Sequence, residues 1–156
     1  MNMKLSDLIS TEDQVIQKLE STDRWGAIDE LTDILVQGGA ISEADRKPIL
    51  DEVRKRESSM STGIGFGIGI PHASTDLIDE AIGAIGRSKT GINFEALDNQ
   101  PVTLVVLFLV PKGQFQKHLH TLANIAKCLH NPEFRKSLEE ASDAKAMLDI
   151  IHQPAE

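Results

Sequence analysis

The chain has 156 residues with 16 basic against 24 acidic side chains, a net charge of −8. That length holds one domain with a real core, expected over 1–156 with its core at about 5–152, and leaves too little for a second. The acidic balance argues against a general nucleic-acid binder and against docking on anionic lipid. The single cysteine, Cys128, excludes an internal disulfide framework and fits a reducing compartment, where it reads as a small buried hydrophobe in a helix. No basic segment followed by an apolar core opens the chain, so no signal peptide is expected. The longest apolar run, Val102 to Val110 broken only by Thr103, is too short to span a bilayer. The expected location is cytoplasmic, with no direct membrane insertion.

In chain order, Val15, Gln17 and Leu19 alternate within 14–20 and predict a short half-buried strand. Trp25, Ile28, Leu31 and Leu35 then recur at helical spacing behind Ser21-Thr22-Asp23, a group rich in N-cap formers, and Gly38-Gly39 supplies the stop. A second helix opens near Ser42 or Asp45, with Pro48 confined to its first turn, Ile49, Leu50 and Val53 on its apolar side and Arg54-Lys55-Arg56 in its last turn. Strands are predicted at 80–88 and 102–110, the latter apolar on both faces as a central strand is. Ile92 and Phe94 hint at a short strand between them, and Asp98-Asn99-Gln100-Pro101 makes the turn. Phe115, Leu119, Leu122, Ala126 and Leu129 define an amphipathic helix. Asn131-Pro132 reads as the N-cap and first residue of the next, and Ser142 as the cap of a last helix carrying Ala146, Met147 and Ile150. Helices and strands interspersed in both halves predict an α/β fold, a mixed β-sheet sandwiched between helices.

The segment Ser61-Thr62-Gly63-Ile64-Gly65-Phe66-Gly67-Ile68-Gly69-Ile70-Pro71-His72 carries the strongest functional signal. Four glycines alternate with four large apolar residues, so a single extended segment would turn its glycines to one bare face. Pro71 would then present His72 beyond that face. The hydroxyls of Ser61 and Thr62 and the cations of Arg54 to Arg56 offer an anion pocket, and neutral imidazole is a nucleophile toward phosphorus. The glycines match neither G-x-G-x-x-G nor a P-loop, so nucleotide binding is disfavoured.

Of the five histidines, His152 reads as solvated and His130 as a helix-terminal residue meeting the dipole. His118 and His120 stand roughly 200° apart around a helix, so only one can face a given site. His118 borders the apolar seam and His120 is expected to be exposed. Without a second cysteine or a histidine pair at helical spacing, no metal site is indicated.

The run from Arg56-Glu57 through Ser61-Thr62-Gly63-Ile64-Gly65 to Gly67-Ile68-Gly69-Ile70-Pro71-His72 resembles the signature of the phosphotransferase-system EIIA domains of the fructose, mannitol and nitrogen-regulatory class. The resemblance continues through Leu97-Asp98-Asn99-Gln100-Pro101-Val102, Val110-Pro111 and His118-Leu119-His120-Thr121-Leu122-Ala123, where it leans to the nitrogen-regulatory branch. It implies that His72 accepts a phosphoryl group from the carrier HPr or a nitrogen-branch relative, that His118 supports it, and that Arg56 balances the phosphate charge. Ser61 and Thr62 would bind the phosphate, and Phe66, Gly67 and Gly69 would form the docking surface. No metal or organic cofactor is implied. Downstream, the family offers two roles: regulation of target proteins according to phosphorylation, or delivery to an EIIB domain during sugar uptake. A third reading, an interaction module with a dead site, is disfavoured by the presence of both His72 and His118. Two positions depart from the family pattern. Gly69 replaces the usual alanine, read as a harmless loss of one methyl, and Phe66 stands where a polar residue is common.

Overall fold

A computed structural model describes residues 3–153. The expected domain's outermost residues, 1–2 and 154–156, lie outside that range. The chain opens with a single helical turn, α1 (Leu5–Leu8), and a short strand, β1 (Val15–Ile16), which covers only part of the stretch expected at 14–20. The carboxylate of Asp23 accepts from the amide of Gly26 at 2.9 Å and starts α2 (Arg24–Gln37). The amides of Ala40 and Ile41 return to the Leu35 carbonyl around Gly39, which has φ +83°, so the Gly38-Gly39 stop forms as read. Helix α3 (Arg46–Ser59) carries Pro48 in its first turn, where the missing N–H costs no bond.

Six strands form one mixed sheet. After β2 (Gly63–Gly65), β3 (Ile68–Gly69) and β4 (His72–Thr75) come the long strands β5 (Ile82–Ile92) and β6 (Val102–Pro111). The last two pair antiparallel at the centre, β1 lies parallel to β5, and β3 and β4 lie parallel to β6 on its other side. Along β6 the side chains alternate faces. Val105, Leu107 and Leu109 pack with α2 and α3 residues such as Leu31, Leu35 and Val53. Leu104, Val106, Phe108 and Val110 pack with Ile125, Leu129, Leu138 and Met147 from the C-terminal helices. The predicted sandwich is therefore present, with separate apolar clusters above and below the sheet.

The glycine run differs from its prediction. It is a hairpin rather than one strand: β2 and β3 pair antiparallel, with Gly63 opposite Gly69. Phe66 and Gly67 form the turn with φ of 58° and 80°, the positive values that a two-residue turn of type I′ requires. The alternation of period two suits two short strands as well as one long one. Nor are Gly63 and Gly69 bare. A Cβ on Gly63 would stand 2.7 Å from that of Ala96, and one on Gly69 would stand 2.9 Å from the Phe94 ring. Phe94, fully buried, covers the hairpin instead of forming the expected strand.

The C-terminal half forms α4 (Leu119–His130), α5 (Pro132–Glu140) and α6 (Ala144–Ile151). Asn131 caps α5 through its side-chain oxygen, as predicted. Asp143 rather than Ser142 caps α6, accepting from Ala146 N at 2.8 Å. The seam of α4 is rotated from the predicted one: His118, Thr121, Ile125 and Leu129 are buried, whereas Leu119 is 45% exposed. A 3-10 turn over Gln116–His118 precedes the helix and breaks the spacing between Phe115 and Leu119. Arg87, 2% exposed, extends from β5 to the carbonyls of Leu138 and Ala141 at the end of α5, satisfying helix-terminal acceptors with a buried cation. His152, read as solvated, is exposed yet its Nε2 meets the Ile9 carbonyl at 2.6 Å. Among the described residues no helix is long and apolar enough to cross a membrane.

The Gly69–Phe94 contact corrects the view that Gly69 merely lacks a harmless methyl. Gly69→Ala is expected to destabilise by about 1–3 kcal/mol through overpacking. In urea unfolding, that cost should shrink when Phe94→Leu has opened the space.

Candidate functional site

His72 begins β4, opposite Phe108 on β6. Parallel partners in register point to the same face, so the imidazole lies on the side of Phe108 while Ala73 points to the α3 side. Nδ1 of His72 meets the carbonyl of Ile70 at 2.9 Å. A carbonyl brings no proton, so Nδ1 carries one and Nε2 keeps its lone pair. The Phe115 ring stacks on the imidazole, 5.6 Å between centroids and 12° from parallel, fixing the ring plane.

The chain then reaches the same place from α3. Glu52, Lys55, Arg56 and Ser59 line an open pocket of about 510 Å³ together with His72, Ala73, Ser74 and Phe115. The basic trio divides its tasks. Arg54 is tied to Asp29 of α2 at 2.6 and 2.8 Å, Lys55 lines the pocket, and Arg56 also donates to the carbonyl of Met60 at 3.0 Å. A second crevice of similar size, lined by Thr22, Asn93, Asn99 and Gln100 among others, contains no histidine and no cation. Among the described residues no cluster of three or more ligand-type side chains could hold a metal ion.

His118 is linked to His72 through Phe108, the register partner of His72, whose ring meets the His118 imidazole edge-on at 6.1 Å. It is buried at 7% exposure, with Nδ1 3.4 Å from the Thr121 hydroxyl. His120 is exposed, as read. The hydroxyls of Ser61 and Thr62 are not part of the pocket. Ser61 donates to the Phe94 carbonyl at 2.5 Å and Thr62 donates to the buried carboxylate of Glu57 at 2.5 Å. Both are engaged where α3 runs into β2.

The expected docking residues are also placed differently. Gly69 is buried beneath Phe94. Phe66 is 67% exposed but sits at the hairpin tip, edge-on to His130 at 5.1 Å. Thr103 donates to Gly67 beside that tip, whereas Phe108 pairs with His72, so five residues of β6, roughly 16 Å, separate tip from pocket. Phe115 was legible only as an apolar helix residue, because nothing in its spacing marks a ring-stacking role. Glu57 appeared only inside the motif.

Burial pushes the pKa of His72 below 6.5; the bond to Ile70 opposes this shift and the charge of Arg56 adds to it. His118 is also lowered, first by burial and then by Lys117. Both folded values lie below the unfolded one, so the unfolded chain binds more protons between them. Their contribution to stability is complete above 6.5 and is lost as pH falls from there toward the folded values. The imidazole resonances of His72 should titrate with a midpoint below 6.5, and the urea midpoint should drop between pH 7.5 and pH 5.5. His72→Ala should reduce that drop.

Residues 8–153 match the family described as "Phosphoenolpyruvate-dependent sugar phosphotransferase system, EIIA 2". The chain is 40% identical over 97% of its length to the "PTS system fructose-specific EIIABC component" of Bacillus subtilis, spanning 23% of that relative. It is 37% identical over 84% of its length to the "PTS system fructose-specific EIIA component" of Haloferax volcanii, of which it covers 84%. Its fold is similar to that of the nitrogen regulatory protein IIA-Ntr from Neisseria meningitidis, with a TM-score of 0.79 at 28% identity over 90% of this chain and 94% of the other. Sugar-specific and nitrogen-regulatory relatives thus both appear. With the motif from Arg56 to His72 and the match along nearly the whole chain, this protein belongs to the type-2 EIIA family of the phosphotransferase system.

Proposed function

We propose that this protein is a phosphohistidine carrier that receives its phosphoryl group on Nε2 of His72 from HPr or an HPr-like carrier. The observation that carries this reading is the bond between Nδ1 and the Ile70 carbonyl, which leaves Nε2 unprotonated beside Arg56 and Lys55. The Nε2 lone pair attacks phosphorus, the bond from phosphorus to the donor's imidazole nitrogen breaks, and that imidazole leaves neutral. Nδ1 keeps its proton throughout, and the Ile70 carbonyl stabilises the positive charge that grows on the ring. Arg56 and Lys55 balance the phosphoryl oxygens, and His118, held against Phe108 behind the His72 ring, supports them. The reaction needs positioning and charge and uses no cofactor.

Labelling with a phosphorylated carrier tests the assignment. His72→Ala should abolish an acid-labile, alkali-stable label. His118→Ala should slow labelling by about a hundredfold, the usual effect of removing one stabilising donor, with His120→Ala left near the native rate. Full labelling of His72→Ala, or equal effects at 118 and 120, would overturn these roles.

Two onward routes fit a carrier of this kind. The motif His118-Leu119-His120-Thr121-Leu122 supports regulation of a target that distinguishes the two phosphorylation states. The identity of 40% to a fructose-specific relative supports delivery to an EIIB domain and then to sugar. Purified carrier, EIIB domain and fructose separate the two. Rapid sugar phosphorylation that requires His72 establishes delivery, and retention of the label on His72 in their presence establishes the regulatory route.

A further inference from the structure

Helix α3 ends in a way that sequence rules do not anticipate. Its C-cap, Met60, is extended and no glycine follows to collect the last carbonyls. Side chains do that work instead: Ser58 and Ser59 donate to the carbonyls of Lys55 and Arg56, and Arg56 to that of Met60. The anchor of this helix end is Glu57, fully buried, whose carboxylate accepts from Thr62 N at 2.9 Å, the Thr62 hydroxyl at 2.5 Å and Arg24 at 3.2 Å. Three donors and no acceptor surround it, the environment of an anion. Arg24 is held in turn by Glu95 at 2.9 Å and by the face of Trp25 at 4.5 Å.

The connections do not stop at Thr62. Its carbonyl accepts from Ile70 N at 3.1 Å, and the carbonyl of Ile70 accepts from Nδ1 of His72. Glu57 therefore holds two things at once. On its own helix it fixes the turn that carries Arg56, and through Thr62 and Ile70 it fixes the carbonyl that orients His72. We infer that Glu57, clamped between Arg24 and Thr62, is a positioning residue that sets the geometry of Arg56 against the His72 ring. This rests on the reading of His72 as the phosphoryl acceptor. Neighbouring residues make the alternatives easy to recognise. Glutamine at this position keeps the shape but turns an NH₂ group toward the donors of Thr62 or Arg24, leaving a buried donor facing a donor. Aspartate keeps the charge but falls one methylene short.

The test measures the titration of His72 by NMR together with transfer from a phosphorylated carrier, in Glu57→Gln, Arg56→Ala and the double variant. Glu52, Lys55 and Arg56 are the charged groups that line the pocket around His72, and they are otherwise unchanged. Glu57→Gln should slow transfer by about tenfold or more, the scale of a small misplacement of reacting groups. It should also lower the His72 midpoint, because the Ile70 bond that raises it outweighs the Arg56 charge that lowers it, whereas Arg56→Ala alone should raise it. In the Arg56→Ala background Glu57→Gln should lower the midpoint by more than it does in the native protein, because only the arm through Ile70 is left. The losses in transfer should add less than fully because they share one guanidinium. Thr62→Val, which removes only the hydroxyl donor, should give the same pattern more weakly and serves if Glu57→Gln does not fold. A lowered melting temperature with an unmoved His72 midpoint and native transfer, or fully additive effects, would overturn the proposal and leave Glu57 a stabilising residue only. Loss of labelling at His72 in the native protein would instead refute the acceptor assignment, while the titration would still report the clamp.

Discussion

The bond from Nδ1 of His72 to the Ile70 carbonyl is the constraint on which the site depends. A ring buried to 8% exposure loses most of its hydration, and an imidazole with both nitrogens unpaired there would be costly. The backbone satisfies one nitrogen from two residues upstream, and Phe115 covers the ring face. The nitrogen left with its lone pair is Nε2. Burial and the nearby guanidinium disfavour the protonated ring, so features at the same place as the orienting bond also favour neutral imidazole.

That bond forms where pairing with β6 is interrupted at Ile70 and Pro71, between two strands that share it as partner. Ile68 and Gly69 pair with Leu104 and Val105, and His72 to Thr75 pair with Phe108 to Pro111. Ile70 and Pro71 bridge the gap without pairing in register, which frees the Ile70 carbonyl to face the imidazole. The hairpin before them is held by backbone contact, Gly63 against Ala96 and Gly69 against Phe94. The glycines thus serve packing beneath the site rather than an open surface beside it, and their effect on His72 is transmitted through strand position.

What was legible in the sequence is local chemistry. Asp23, Gly38-Gly39 and Asn131-Pro132 act within a few residues of themselves, and each did what its side chain dictates. The central strand was legible because an apolar run of that length fits nothing else here. His72 and Arg56 were legible through the motif, and the structure brings both into one pocket. The failures share a cause. Alternation with period two cannot tell one strand from two, so the turn at Phe66-Gly67 was invisible. The hydroxyls of Ser61 and Thr62 are captured by Phe94 and Glu57, one distant in sequence and one upstream on a helix, so reading them as free rested on missing partners. The α4 seam slipped because a 3-10 turn changes the angle per residue before the helix begins.

On the proposed reading of His72 as the phosphoryl acceptor, the separation of the two ends of β6 limits which surface could respond to phosphorylation. A phosphohistidine adds up to two negative charges at His72. The hairpin tip with Phe66 lies roughly 16 Å away along the strand, about twice the screening length of physiological salt, so a partner seated only on that tip would barely feel them. Other exposed apolar residues follow Arg56 and His118 in the chain. Met60, 65% exposed, supplies the carbonyl that holds Arg56, and Leu119, 45% exposed, follows His118. A partner that covered the His72 pocket would have to bury the phosphoryl group or exclude it, and burial of an unpaired dianion is costly. With His72 as the acceptor, discrimination between the two states would fall to a surface nearer that ring than the hairpin tip, and the partner's own cations would decide its sign. A partner with guanidinium groups facing His72 favours the charged form, and one with an apolar or acidic face favours the bare imidazole.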